Sequence, residues 1–162
     1  MREKAYFARL EKDYNKFVEA LTNAKRFSTT LYPFCNFKEG VLFGNEHGVS
    51  YIKYKNIDED GRKCFTIEQM FESFGRMINS DECEEATATA GTYTYDGKEK
   101  KAIRLTSKKY EVFLNDKILG AYPDGARFYI TGVKNPVAVV YNGDIIKVVC
   151  PFYYPNIKFV EA

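Results

Sequence analysis

The sequence predicts an α+β protein, in which antiparallel sheets carry helices packed on one face. An amphipathic helical pattern at 10–26 precedes short strands with tight turns, and the same order returns in the last third of the chain. Asn142-Gly143 between apolar runs is a strong hairpin signal. With 162 residues, 45% hydrophobic and 28% charged, the chain has the composition of one soluble globular domain.

The first unit, 1–56, is predicted to be β-α-β-β-β. Leu10, Tyr14 and Leu21 lie on one face of its helix, at the spacing of an amphipathic surface helix. Glycine-containing turns separate three predicted strands, which cover 31–37, 41–43 and 49–55.

A segment of different character, 57–99, is predicted to be an acidic insertion with one helix and one hairpin. Thr66-Ile67-Glu68-Gln69 is a capping box that opens the helix, and Asp96-Gly97 turns the hairpin between 86–95 and 100–105. Residues 57–85 contain nine acidic and three basic residues, whereas the whole chain has a net charge of +2. The rest of the chain is therefore basic enough to contact phosphates.

The second unit, 100–155, is predicted to repeat β-α-β-β-β before a tail at 156–162. Thr106 or Ser107 caps a helix over 107–118, and strands follow at 127–133, 137–141 and 144–150. Lys12-x-Tyr14-x-x-Phe17 recurs as Lys108-x-Tyr110-x-x-Phe113, at an offset of 96. This pattern indicates an internal duplication, although amphipathic helices with aromatic faces also resemble one another by composition alone.

The inventory of reactive side chains points away from an enzyme. The 4 cysteines show no C-x-x-C spacing, the only histidine, His47, lies in a glycine-flanked turn, and no phosphate-binding loop motif occurs. We therefore expect no cofactor and no metal. A Cys–His hydrolase that uses His47 remains a third possibility. Since no bilayer-spanning run and no leader pattern is found, we expect a cytoplasmic protein without membrane contact.

A helical pattern at 108–119, the step Asn135-Pro136-Val137 and the ending Val149-Cys150-Pro151-Phe152-Tyr153-Tyr154 occur in this order. Together they resemble the third domain of the bacterial sliding clamp, the β subunit of the replicative DNA polymerase, and the first unit is similar to the first half of that domain. The chain departs from this family in its length of one domain, in its insertion at 57–99 and in its tail. A ring would therefore need several copies, and a module that does not encircle DNA is the other option.

The resemblance implies a clamp-like protein of DNA metabolism, bacterial or from a phage, that binds duplex DNA without sequence preference, docks replication proteins, or does both. The residues implied for DNA contact are Lys12, Lys16, Arg26, Lys108, Lys109 and Lys117. Those implied for a partner-peptide pocket are Pro136, Val137, Cys150, Pro151, Phe152 and Tyr153.

Each of these two surfaces has a plainer interpretation. The lysines are then solvated helix faces, and the C-terminal aromatic residues cover a sheet edge. A protein–protein interaction module that has lost DNA binding is the alternative function.

Overall fold

A computed structural model describes residues 1–23, 34–37, 39–45, 47–53, 82–154 and 157–162. Over these residues the chain is an antiparallel α+β protein, as predicted. In chain order the elements are α1 (Glu3–Asn23), β1 (Phe34–Phe37), β2 (Gly40–Asn45), β3 (Gly48–Lys53), β4 (Glu84–Tyr95), β5 (Lys98–Thr106), β6 (Glu111–Asn115), α2 (Asp116–Leu119), β7 (Arg127–Ile130), β8 (Val137–Tyr141), β9 (Asp144–Val149) and β10 (Lys158–Glu161).

The strands pair in the order β1-β2-β3-β9-β8-β7-β4-β5-β6, and β10 joins β4. The long strand β4 divides this arrangement into two sheets. Its first residues, Glu84 to Ala86, pair with β7 and complete the first sheet. The rest of β4 pairs with β5 on one side and β10 on the other, so that β10, β4, β5 and β6 form the second sheet.

The core lies between the inner faces of the two sheets and α1. Tyr6, Leu10 and Tyr14 recur at the four-residue interval that places side chains on one helical face, and all three are buried. Alternation along the strands supplies the rest, because every second side chain points inward. The second sheet contributes Ile103, Leu105, Val112 and Leu114, and the first sheet contributes Ile52, Phe128, Ile130, Val137, Val139 and Val149.

Most of the predicted strands are confirmed. The hairpins at Asp96-Gly97 and Asn142-Gly143 form as predicted, and residues 96, 97, 142 and 143 all have positive φ. The strand predicted at 127–133 ends at Ile130. The first helix begins at Glu3 rather than near residue 10, because Tyr6 extends its buried face by one turn.

The helix predicted over 107–118 is wrong. The Ser107 hydroxyl oxygen accepts the backbone N–H groups of Lys109 and Tyr110, as an N-cap does, but only a turn follows, in which the Ser107 N–H donates to the carbonyl of Tyr110. Strand β6 follows, because Val112 and Leu114 are buried at an interval of two. The helix cap is Asn115, whose side chain accepts from Lys117 and Ile118 and opens the single turn of α2.

The two units therefore do not share one local structure. The first unit is predicted to open with a strand before its helix, but the chain is helical from Glu3 onwards. The stretch that corresponds to the centre of α1 is the turn and strand β6. The capping box at Thr66-Ile67-Glu68-Gln69, Arg26 and most of the acidic segment lie outside the described residues.

Candidate functional site

A group of aromatic side chains covers the outer face of the second sheet. We call this group the aromatic face; it consists of Tyr93, Tyr95, Phe113, Phe152, Tyr154 and Phe159. Alternation along β4 directs Tyr93 and Tyr95 to the side opposite the core. The register pairs Phe159 of β10 with Tyr93, which places both side chains on the same side.

The rings of the aromatic face form a continuous series of contacts. The centroid of Phe152 lies 4.4 Å from that of Tyr93 and 5.6 Å from that of Tyr154. The series ends at Tyr95 and Tyr154, which stack at 4.0 Å with an interplanar angle of 17°. Each such pair contributes about 0.5–1.5 kcal/mol beyond the area that it buries.

The C-terminal segment is held on the sheet at two places. The backbone N–H of Phe152 donates to the carbonyl of Phe113 at 3.0 Å, and β10 pairs with β4. The guanidinium of Arg104 lies 4.9 Å from the ring centroid of Phe159 and forms an ion pair with Glu161. These contacts fix the positions of Phe152 and Tyr154 against the strands.

Exposure increases along the aromatic face towards the tip of the β4–β5 hairpin. Tyr93 is 4% exposed, while Tyr95 is 49% exposed even with Tyr154 stacked on it. Lys98 is the cross-strand partner of Tyr95, and Lys100 is the partner of Tyr93. Both lysines therefore share the outer face with the tyrosines, whereas Glu99 points to the opposite side.

A cavity of about 490 Å³ adjoins this hairpin where β6 ends. Its lining is Glu99, Lys100, Lys101, Asn115, Asp116 and Lys117. Among the described lining residues, three lysines outnumber two carboxylates. None of these lysines, nor Lys98, forms an ion pair with another residue of the described segments. The ammonium groups are therefore available to an anion.

The lysines predicted to contact DNA lie on three different parts of the described chain. Lys12 and Lys16 are exposed on α1, Lys108 and Lys109 lie in the turn before β6, and Lys117 lies in α2 after it. The five residues of β6 span roughly 17 Å, which separates the last two groups. Of this set, Lys117 alone lines the cavity described above.

The residues predicted for a partner-peptide pocket also face different surroundings. Val137 is fully buried in the core, and Phe152 belongs to the aromatic face. Tyr153 is 50% exposed, with the ammonium of Lys134 4.8 Å from its ring centroid. Cys150 is exposed, and Pro136 and Pro151 are half-buried. The structure therefore does not gather these residues into one pocket.

A buried lysine, Lys147, was missed by the sequence analysis. Lys147 is 9% exposed, and its ammonium donates to the carbonyl of Leu119 at 2.9 Å. Burial lowers the pKa of Lys147 to about 8, against the usual 10.5. The available signal was its position inside the apolar run of β9, but an isolated lysine there is also compatible with an edge strand.

His47 and Cys150 are neighbours, and a histidine near a cysteine is what the hydrolase hypothesis requires. The backbone N–H of Cys150 donates to the carbonyl of His47 at 2.8 Å. Partial desolvation by neighbouring atoms raises the pKa of the Cys83 thiol and of the Cys150 thiol, although the Cys150 residue as a whole is exposed, and this favours the unreactive thiol form.

The described segments contain neither a cluster of metal-ligating side chains nor a helix that could span a membrane. Among these residues, no group of three or more His, Cys, Asp and Glu side chains is placed to hold a metal ion. No helix in the same segments is long and apolar enough to cross a bilayer.

Comparison with known proteins finds no family model, no curated protein and no solved structure that matches this chain. The resemblance to the sliding clamp therefore stays a prediction. The candidate site rests on the arrangement of its own residues, above all on the exposed tyrosine pair beside Lys98 and Lys100.

Proposed function

We propose that this protein is a non-enzymatic nucleic-acid-binding protein, which contacts phosphates through the lysines at the tip of the β4–β5 hairpin. The observation that carries the proposal is the presence of Lys98 and Lys100 on the same face as the stack of the exposed Tyr95 on the half-buried Tyr154. Lys101 and Lys117 extend this charge around the adjoining cavity. Lysines combined with exposed aromatic rings are typical of surfaces that bind nucleic acids.

This proposal retains the DNA-metabolism role implied by the clamp resemblance but moves the contact surface. A clamp-like surface would use the polar faces of two equivalent helices, and the second of these helices is replaced by β6. The hairpin lysines instead contact phosphates from a sheet. A ring would require several copies of the chain, so a solution mass near the 18.7 kDa of one chain would rule out encirclement.

The test compares two pairs of exposed lysines by fluorescence anisotropy with labelled DNA over a range of salt concentrations. Lys98→Gln with Lys100→Gln is expected to weaken binding and to lower the slope of log affinity against log salt. The slope changes by about 0.7–0.9 for each phosphate that the protein no longer neutralises. Lys12→Gln with Lys16→Gln, on α1, is the matched control and is expected to leave both quantities unchanged.

Two results would contradict this proposal. One is that the wild-type protein binds neither single-stranded nor duplex DNA at low salt while it remains folded. The other is that the α1 pair, and not the hairpin pair, lowers the salt dependence. That second result would return the DNA contact to the helix face of the clamp-like interpretation.

A protein-docking role is the second candidate, and one observation favours it. Tyr153, one of the residues of the predicted partner pocket, is 50% exposed, and the ammonium of Lys134 lies 4.8 Å from its ring centroid. Such a role would be sensitive to Tyr153→Ala and indifferent to changes at Lys98 and Lys100. Phe152→Ala is the poorer probe, because its ring contacts Tyr93 and Phe113 and the substitution would disturb the aromatic face.

A further inference from the structure

We infer that the nucleic acid bound at this face is single-stranded, and that the Tyr95–Tyr154 stack is the platform on which a base packs. This inference rests on the proposed function, since it specifies the form of the same ligand. Its basis is the geometry of the two rings and the position of Lys98 and Lys100 on the strand that pairs with that of Tyr95.

The tyrosine pair has the geometry of a base stack. The two rings are nearly parallel, at 17°, and their centroids are 4.0 Å apart. Tyr95 keeps 49% of its surface exposed, so a base has room to extend the stack. In a duplex, both faces of an internal base are already covered by its neighbours, so stacking a protein ring on it requires costly unstacking, whereas an unpaired base has a free face.

The platform is held in place before any ligand arrives. Tyr154 contacts Phe152, which lies against the buried Tyr93, and Asn115 donates to the Tyr93 hydroxyl at 3.4 Å. Small residues make room for these rings, because Gly91 and the buried Ala102 are cross-strand partners on the same face. A fixed ring loses little conformational entropy when a base packs on it.

Lys98 and Lys100 lie on the strand that pairs with the strand of Tyr95. Directly opposed residues in an antiparallel pair have Cβ atoms about 4.5–5.5 Å apart. Lys98 is opposite Tyr95, so a base stacked on Tyr95 brings its phosphate within reach of the Lys98 ammonium. Lys100 follows two residues along the same strand and can contact the next phosphate.

An acidic protein segment is the competing ligand for the same lysines. It would pair with Lys98 and Lys100 but would gain little from aromatic stacking. The structure favours nucleic acid because the exposed rings and the ammonium groups lie on one face, while Glu99 of the same strand points away. A competition experiment distinguishes the two ligands.

The experiment measures binding of a fluorescein-labelled oligothymidylate of about 20 nucleotides and of a duplex of equal length at one salt concentration. The single strand is expected to bind more tightly. Tyr95→Leu should weaken single-strand binding roughly 5- to 100-fold without changing the salt slope, which is the effect of losing one base–aromatic stack. Tyr95→Phe should retain the affinity, and Tyr129→Leu, in the first sheet, is the control for loss of a half-buried tyrosine.

The results that overturn the inference differ from those that overturn the proposed function. Equal binding of both DNA forms, with Tyr95→Leu silent and the lysine pair still required, would contradict the single-strand inference alone. Displacement of the oligothymidylate by polyglutamate at equal charge concentration would indicate an acidic protein ligand and would also overturn it. If neither DNA form binds to the folded protein, the proposed function fails as well. Circular dichroism of each variant confirms that it is folded.

Discussion

Two of the tyrosine–lysine pairs in this protein differ in burial, since one lies inside the fold and the other on its surface. Inside, the ammonium of Lys147 lies 6.0 Å from the ring centroid of the buried Tyr6. On the surface, Lys98 lies opposite the exposed Tyr95. The same two residue types therefore have different roles, and burial of the pair decides which role.

The inner pair acts within the structure. Lys147 donates to the carbonyl of Leu119, the last residue of α2, and so satisfies a group that the end of a helix leaves unpaired. Burying the ammonium is costly, as the lowered pKa indicates. The outer pair meets no such cost, because its lysine stays in water until a ligand arrives.

Substitutions on the inner and outer faces of β5 should differ most in their effect on the free energy of unfolding. Leu105→Ala should destabilise the protein by about 2–5 kcal/mol, because Leu105 is fully buried between the sheets. Lys100→Gln, five residues earlier on the outer side, should change stability by less than about 0.5 kcal/mol. Urea unfolding of both variants measures the contrast. Similar destabilisation by the two substitutions would show that the two faces are assigned wrongly.

Lys147→Met is expected to stabilise the protein near pH 7 by up to about 3 kcal/mol. The substitution removes a buried charge and keeps the length of the side chain, although it also removes the bond to Leu119. Thermal unfolding against the exposed control Lys100→Met measures this effect. A lower melting temperature for Lys147→Met would mean that the bond to Leu119 outweighs the cost of burial.

The advantage of Lys147→Met should depend on pH in one direction. The pKa of Lys147 is about 8 in the folded state and about 10.5 when unfolded, so between these values the unfolded chain binds more protons. Wild-type stability relative to the variant should therefore rise from pH 8 towards pH 10, and the difference should be constant below pH 8. An advantage of the variant that grows with pH above 8 would contradict the assignment of this pKa.

A smaller effect tests how the C-terminal segment is held. A Cβ atom at Gly91 would lie 2.3 Å from the carbonyl oxygen of Val160 and 2.5 Å from Cζ of Phe159. Gly91→Ala should therefore displace β10 and destabilise the protein by about 1–3 kcal/mol. Faster amide hydrogen exchange at Val160 and Ala162 would report the displacement. Ala90→Ser, which points to the other side of β4, should leave the exchange unchanged.

The duplicated sequence pattern shows why part of the fold could not be predicted. Tyr14 and Tyr110 occupy equivalent positions in the pattern, yet the first lies in a helix and the second ends a turn. Apolar residues three and four positions apart, as in a helix, occur here together with a pair two positions apart, Val112 and Leu114, as in a strand. Pairing with β5 decides that this segment forms a strand. The local sequence pattern carries no information about β5 as the pairing partner of this segment.

The hairpins were predictable because their signals are local. Asp96-Gly97 and Asn142-Gly143 adopt positive φ in tight turns, which needs no information from distant residues. The aromatic face was not predictable in the same way. Phe152 and Tyr154 contact Tyr93 and Tyr95, which lie about sixty residues earlier in the sequence. These contacts depend on the order in which the strands pair.

The proposed binding of nucleic acid to the outer face of the second sheet can be located by an NMR titration of the isotope-labelled protein with oligothymidylate, which identifies the amides whose shifts change. We expect these changes to concentrate at the tip of the β4–β5 hairpin and around Tyr154. Changes confined to α1, where Lys12 and Lys16 are exposed, would contradict the proposal.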